Sequence, residues 1–179
     1  MRTFHDLAGL LVHLRRLGTV PSVEGAFCEL DHGLQTAAEL RRTDPDDVEL
    51  QVAGLVHDVA HPWDGPGQPR HAVLGADAVR PILGARVARL VEGHVAAKRY
   101  LVAVDPGYRG LLSPDSIATL RAQGEAMGDD EVARFAARPD VTAMVALRRA
   151  DDRAKVEGLG VPGLDAWIEA LHAVADADR

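Results

Sequence analysis

An all-α fold is what this sequence predicts, and three observations predict it. Apolar residues recur at helical spacing through most of the chain, alternating β-branched runs are scarce, and aromatic residues make up only 4% of it. With 179 residues, 47% of them hydrophobic, the chain is long enough to bury about two-thirds of its unfolded surface. A single domain over residues 1–179 is the economical reading, because no internal repeat, low-complexity tract or linker interrupts the pattern.

The elements follow in chain order. MRTFHDLAGLLVHLRRLG carries only the short apolar run LAGLLV, with Asp6 before it and His13, Arg15 and Arg16 after it. That is neither a signal peptide nor a membrane span. Residues 26–42 predict an amphipathic helix with Leu30, Leu34, Ala37 and Leu40 on its apolar face, and Arg41-Arg42 suits its C-terminal dipole. Asp44-Pro45 reads as the N-cap and first position of the next helix. Its apolar residues Val48, Leu50, Val52, Leu55, Val56 and Val59 are more continuous than one face requires, which places it at the centre of the fold. PWDGPGQP is a breaker-rich loop ending just before His71. The stretch 71–100 is helical in pattern but interrupted at Pro81 and Gly84, so it is read as two helices. Asp105 to Pro114 is a loop, Ser113-Pro114 opens a short helix to about Gln123, and further helices are expected near 129–137, 140–156 and 163–176.

Charge and cysteine content narrow the function classes. A formal net charge of −7 disfavours a nucleic-acid-coating surface, because phosphate neutralisation needs clustered Lys and Arg. A small anionic substrate held by a few buried cations stays open. The single Cys28 rules out an internal disulfide framework and fits a reducing, cytoplasmic setting.

The chemistry is concentrated in GLVHDVAH, residues 54–61, where His57, Asp58 and His61 interrupt an apolar run. On a helix His57 and His61 share a face at i and i+4, while Asp58 points about 100° away. Adjacent His and Asp can grip two neighbouring ions, since a carboxylate has two oxygens and can bridge. An unpaired carboxylate buried there would be costly. His32 stands on the preceding helix, His71 opens the next, His94 lies in VEGHVAAK, and Asp151 lies in ALRRADD. Six N and O donors from separate helices suit a metal site in a bundle core. Without a thiolate among them, the set fits iron or manganese better than structural zinc. Taken alone, His61 reads as a core histidine. His5, His13 and His172, near the termini, are given no role, and the acidic flank Glu24, Glu29 and Asp31 reads as a solvated helix start.

These residues carry a family resemblance. His32, His57-Asp58 and Asp151 look like the H…HD…D signature of the HD-domain superfamily, which is all-helical and commonly binds metal for phosphohydrolysis. His71 and His94 resemble its branch with six protein ligands and two metals. HVAAKRYL at 94–101, LLSPDSIATLRAQGEAM at 111–127 and ALRRADDRAK at 146–155 resemble the PhnZ/TmpB group of organophosphonate-cleaving di-iron oxygenases, relatives of myo-inositol oxygenase. The likeness runs from about residue 28 to 157. It implies an HD-domain helical bundle with a buried dinuclear metal site.

The resemblance assigns one iron to His32, His57, Asp58 and Asp151, and the other to Asp58, His71 and His94, with Asp58 bridging. Asp151 is preferred to Asp152 because it stands four residues before Lys155. His61, Lys98 and Arg148 are implied to contact a phosphonate, with Ser116 and Thr119 as hydroxyl donors. Lys98 one turn after His94 and Arg148 three residues before Asp151 are placed to face the same cavity. Arg would supply a planar fork and Lys a point charge. Asp58, His61 and Lys98 are the implied catalytic residues. The implied reaction is oxidation with O2 as co-substrate at two iron ions, Fe2+ and Fe3+, cleaving the C–P bond of a small α-hydroxyphosphonate and releasing phosphate. One departure stands out: where the group carries a Tyr and a Glu ten and seven residues before the first His, this chain has Ser22 and Gly25, with Glu24 one residue away. Two further readings are a metal-dependent phosphohydrolase acting on a nucleotide or phosphomonoester and a non-catalytic metabolite-binding HD protein.

Overall fold

Helix α1 (Leu7–Leu17) begins at Asp6, whose carboxylate accepts from the Gly9 backbone N–H, and it buries Leu10, Leu14 and Leu17. The computed structural model describes residues 3–22, 26–64 and 70–177. Among them there is no strand, only an isolated bridge between Pro21 and Cys28, and no helix is long and apolar enough to cross a membrane. The all-α expectation holds.

Helix α2 (Glu29–Thr43) starts at a reciprocal cap, with Cys28 Sγ accepting from Asp31 N–H and the Asp31 carboxylate accepting from Cys28 N–H. Asp44 ends α2 by donating its N–H to Leu40 O, so it does not open the following helix. The carbonyls of Asp44 and Pro45 instead accept from the Gln51 side chain at 3.0 Å each. Helix α3 (Val48–Val56) is capped by Asp47, which accepts from Leu50 N–H at 3.0 Å. Several aspartates compete at this junction, and Asp47 also receives Arg86 at 2.7 Å from a distant helix, a contact local pattern does not show.

α3 also ends earlier than expected. The ring of His57 bonds Gly54 O at 2.8 Å, the carbonyl that Asp58 N–H would take in a continuing helix. The next bonds, Val59 N–H to Val56 O and His61 N–H to Asp58 O, span three residues rather than four. Pro62, without an N–H, cannot extend the ladder. His57 and His61 therefore do not share one helix face: His57 and Asp58 lie in a tight turn, and His61 opens the one-turn helix α4 (His61–Asp64).

Helix α5 (His71–Val104) is one long run of two arms that meet at Gly84, whose φ of 79° and ψ of 176° are not helical, so the expected interruption is present there. It is followed by a 3₁₀ turn at Tyr108–Leu111 and by α6 (Pro114–Ala122), α7 (Asp129–Ala136), α8 (Val141–Arg153) and α9 (Ile168–Ala177). Helices α2, α3, α5 and α8 pack together around a core that includes Leu34, Leu40, Leu55, Leu90 and Leu147. Each such side chain contributes about 1.5–3 kcal/mol of burial. Gly33 sets the approach of α2 to α3, since a Cβ there would lie 2.5 Å from Leu55 O. That contact brings the neighbouring His32 onto the turn carrying His57 and Asp58.

Candidate metal centre

Three helices and one turn aim their polar side chains at a common point. His32 comes from α2, His57 and Asp58 from the turn after α3, His71 from the first residue of α5, His94 from its second arm, and Asp151 from the last turns of α8. All six are buried, Asp58 at 9% exposure being the most open. The structure brings all six expected donors together.

Their orientations are fixed from behind. Nδ1 of His32, His57 and His94 bonds the backbone oxygens of Ala154, Gly54 and Val91 at 2.8, 2.8 and 2.7 Å. A carbonyl can only accept, so each Nδ1 carries a proton, and each Nε2 offers a lone pair to the centre when the ring is neutral. His32 Nε2 lies 3.6 Å from Asp58 Oδ2 and 3.3 Å from Asp151 Oδ1, and His57 Nε2 lies 3.2 Å from Asp58 Oδ2. On the other side, His71 and His94 Nε2 lie 3.4 and 3.5 Å from Asp58 Oδ1 and 3.1 Å from each other. Two donor triads result, His32/His57/Asp151 and Asp58/His71/His94, and Asp58 turns a different oxygen to each.

The donor set fits metal ions. With neutral imidazoles, acceptors face acceptors across the centre, and the buried His57 Nε2 and Asp58 Oδ1 have no hydrogen-bond partner among the described residues. Such an arrangement is repulsive until a cation sits between the groups. Without an ion the carboxylates draw a proton into its place: burial opposes charge on His57, but Asp58 and Asp151 outweigh it and raise its pKa to about 9. Burial also opposes charge on Asp58, yet His57 and His61 hold its carboxyl well below the usual range. Burial drives His94 well below the ordinary histidine value.

A cationic wall stands beside the donors. Lys98 and Arg148, at 3% and 4% exposure, are buried and do not belong to a solvated surface. Lys98 Nζ donates to Thr119 Oγ1 at 2.8 Å, and Lys155 Nζ donates to Ser116 Oγ at 3.0 Å. Arg148 NH1 pairs with Asp151 at 2.6 Å, and its NH2 pairs with Asp152, so its fork engages protein carboxylates and only Nε is left without a partner. Asp152 also accepts from Tyr108 Oη at 2.5 Å, and burial pushes that phenol far above its ordinary pKa, which keeps it a donor. Ser113 caps α6 by accepting from Ser116 N–H at 3.0 Å. A cavity lined by Asp58, His61, His94, Lys98, Thr119 and Arg148 joins the donors to this wall.

One expectation is corrected outright. Glu29 is no solvated helix start: it is 4% exposed, and its Oε2 lies 3.1 Å from His61 Nδ1, which leaves His61 Nε2 3.5 Å from Asp58 Oδ1. Its place three residues before His32, on the same face of α2, was the available signal. Lys155, Tyr108 and Gln123 were also missed as site neighbours. His13 has a packing role, bonding Val59 O at 2.8 Å between the rings of Phe4 and Trp63, while His5 and His172 are exposed. Glu24 and Gly25 lie outside the described residues.

Similarity to known proteins extends over most of the chain. The HD domain family matches residues 29–145. A hydroxymethylphosphonate dioxygenase of Gimesia maris is 36% identical over 154 residues, 78% of this chain and 73% of that protein. A glycine-betaine-forming 1-hydroxy-2-(trimethylamino)ethylphosphonate dioxygenase of Leisingera caerulea is 33% identical over 127 residues, 66% of this chain and 64% of that protein, so just under two-thirds of its length is spanned.

Proposed function

The chain belongs to the HD-domain family, and from that premise we propose that it is a di-iron oxygenase cleaving the C–P bond of a small α-hydroxyphosphonate with O2 and releasing phosphate. The observation that carries the reading is the pair of triads sharing Asp58, set against the buried cations Lys98 and Arg148. His32, His57, Asp58 and Asp151 would hold one iron, and Asp58, His71 and His94 the other. Bound there, the two ions would supply the redox chemistry with O2 and a chelation point for the α-hydroxyl and a phosphonate oxygen.

The protein's own groups supply the rest. Lys98 places an ammonium at the cavity wall, held by Thr119, where it neutralises a phosphonate oxygen. Arg148 lines the same space with its fork on Asp151 and Asp152, and its Nε–H, without a partner among the described residues, would be the donor left for the anion. Ser116 and Thr119 add hydroxyls on the adjoining face of α6. His61 stands between Glu29 and the cavity, and Glu29 fixes the direction of its ring, so that Nε2 meets the substrate. Packing of α2, α3, α5 and α8 around these groups restricts bulk water, which strengthens each charge contact.

The test is purification under anaerobic conditions with iron, followed by phosphate release from a panel of α-hydroxyphosphonates with and without O2. Phosphate release that requires both the hydroxyphosphonate and O2 is expected. Oxygen-independent release from phosphomonoesters, with no phosphonate turnover, overturns the reading in favour of a phosphohydrolase.

A further inference from the structure

Ser116, Thr119 and Gln123 recur at three and four residues along one polar face of α6, and Thr119 and Gln123 line the cavity. The first two have partners, Lys155 on Ser116 and Lys98 on Thr119. Gln123 lines the same cavity beside His71, His94 and Val95, but its Oε1 is buried with no hydrogen-bond partner among the described residues. Of the five other buried orphans among the described residues, His57 Nε2, Asp58 Oδ1 and Arg148 Nε belong to residues that line the cavity or hold the ions in the proposed reaction, while Asp64 Oδ2 and Trp167 Nε1 belong to residues that do not line it. Gln123 Oε1 belongs to neither donor triad, and as an acceptor it has nothing to offer a phosphonate dianion.

The position is rigid. Gln123 ends α6, and Gly124 at φ +100° reverses the chain so that Glu125 N–H reaches Leu120 O at 3.0 Å and Gly124 N–H reaches Arg121 O at 3.3 Å. Arg99 of α5 then donates to Glu125 O at 2.9 Å. A buried acceptor held so firmly, with no donor among the described protein groups, is satisfied by a ligand that brings one. Gln123 sits four residues beyond Thr119, about 6 Å along the helix axis and past the Lys98 contact. The part of the substrate that reaches it is therefore the carbon end, whose donor is the α-hydroxyl.

We propose that Gln123 is a specificity-determining residue whose carboxamide oxygen accepts the hydrogen bond of the substrate α-hydroxyl. This rests on the hydroxyphosphonate reading above. It makes the site select hydroxylated phosphonates through a protein acceptor as well as through the metals. A site built to pair a hydroxyl discriminates strongly against an analogue that lacks it.

The experiment is a binding cycle on the iron-loaded, anaerobic enzyme, by calorimetry, with hydroxymethylphosphonate and fluoromethylphosphonate as probes. The two are close in size, and fluorine cannot donate. Metal coordination is common to both proteins and cancels in the ratio of affinities. Gln123→Leu is expected to reduce the hydroxyl-over-fluoro preference about tenfold, the loss of one hydrogen bond to a buried acceptor. Gln123→Glu, which keeps an acceptor but adds charge, is expected to bind both probes more weakly and to retain the preference. An unchanged ratio in Gln123→Leu, with both probes still binding, overturns the role of Gln123 alone. Failure of the wild-type protein to bind either phosphonate overturns the hydroxyphosphonate reading and this inference with it.

Discussion

Asp58 Oδ1 and Oδ2 face different imidazole pairs, so removing that one carboxylate acts on both halves of the centre at once. Asp58→Ala is expected to lose the spectroscopic coupling between two irons and to weaken iron binding at least 10- to 100-fold, as loss of an organising carboxylate does. Iron analysis and electron paramagnetic resonance measure both; normal content with normal coupling refutes the bridge. Residue type made the six donors candidates, because His57-Asp58 in an apolar run has few other uses, and the family resemblance singled out Asp151 over Asp152. Glu29 and Gln123 were not legible in the same way. A glutamate at a helix start and a glutamine at a helix end match the solvent-facing pattern of those positions, and only the tertiary contacts to His61 and the cavity distinguish them.

At the level of elements, local signals served where they were complete. Ser113-Pro114 opens α6 as read, and Gly84 interrupts α5. The limits of α3 failed for two physical reasons: several aspartates could cap it, and its end is set by the His57 ring on Gly54 O, a bond that side-chain periodicity does not encode. The cap that prevails is tied to a network in which Arg86 of α5 reaches Asp47 at 2.7 Å, Glu49 at 3.0 Å and Asp140, before α8, at 3.2 Å. The Arg86 hydrogen bonds lower the Asp47 pKa, and those from Arg89 and Arg86 lower that of Asp140. With folded-state values depressed below the unfolded 3.8, their stabilisation is complete above that pH and is lost as pH falls through the folded values. Arg86→Gln is therefore expected to be less stable than wild type by about 1 kcal/mol, a figure limited by the exposure of these partners. The gap should be constant from neutral pH to about pH 4 and close below it. Urea melts of both proteins across that range decide the matter, and a gap that persists undiminished into the acid limit excludes the network as its source.

For the whole molecule, the centre is also a stability question, because its ligands come from helices far apart in sequence. His32 and Asp151 are 119 positions apart yet approach to 3.3 Å, so an ion between them ties α2 to α8 while the Asp58 turn ties α3 to both arms. Without a cation, that junction crowds imidazoles against carboxylates and leaves His57 Nε2 and Asp58 Oδ1 buried without partners among the described residues. Binding that favours the folded state adds about 2.7 kcal/mol at a free metal concentration one hundred times Kd. For a chain of this size about 1 kcal/mol shifts Tm by roughly 2–4 °C, so chelation is expected to lower Tm by about 5–11 °C and iron to restore it. The shift should be largely lost in Asp58→Ala, whose unfolding then responds little to chelator. A wild-type Tm indifferent to both chelator and iron, measured by calorimetry at fixed pH, would mean that the six donors hold the fold together through protons alone, with the elevated His57 pKa as the residue of that arrangement.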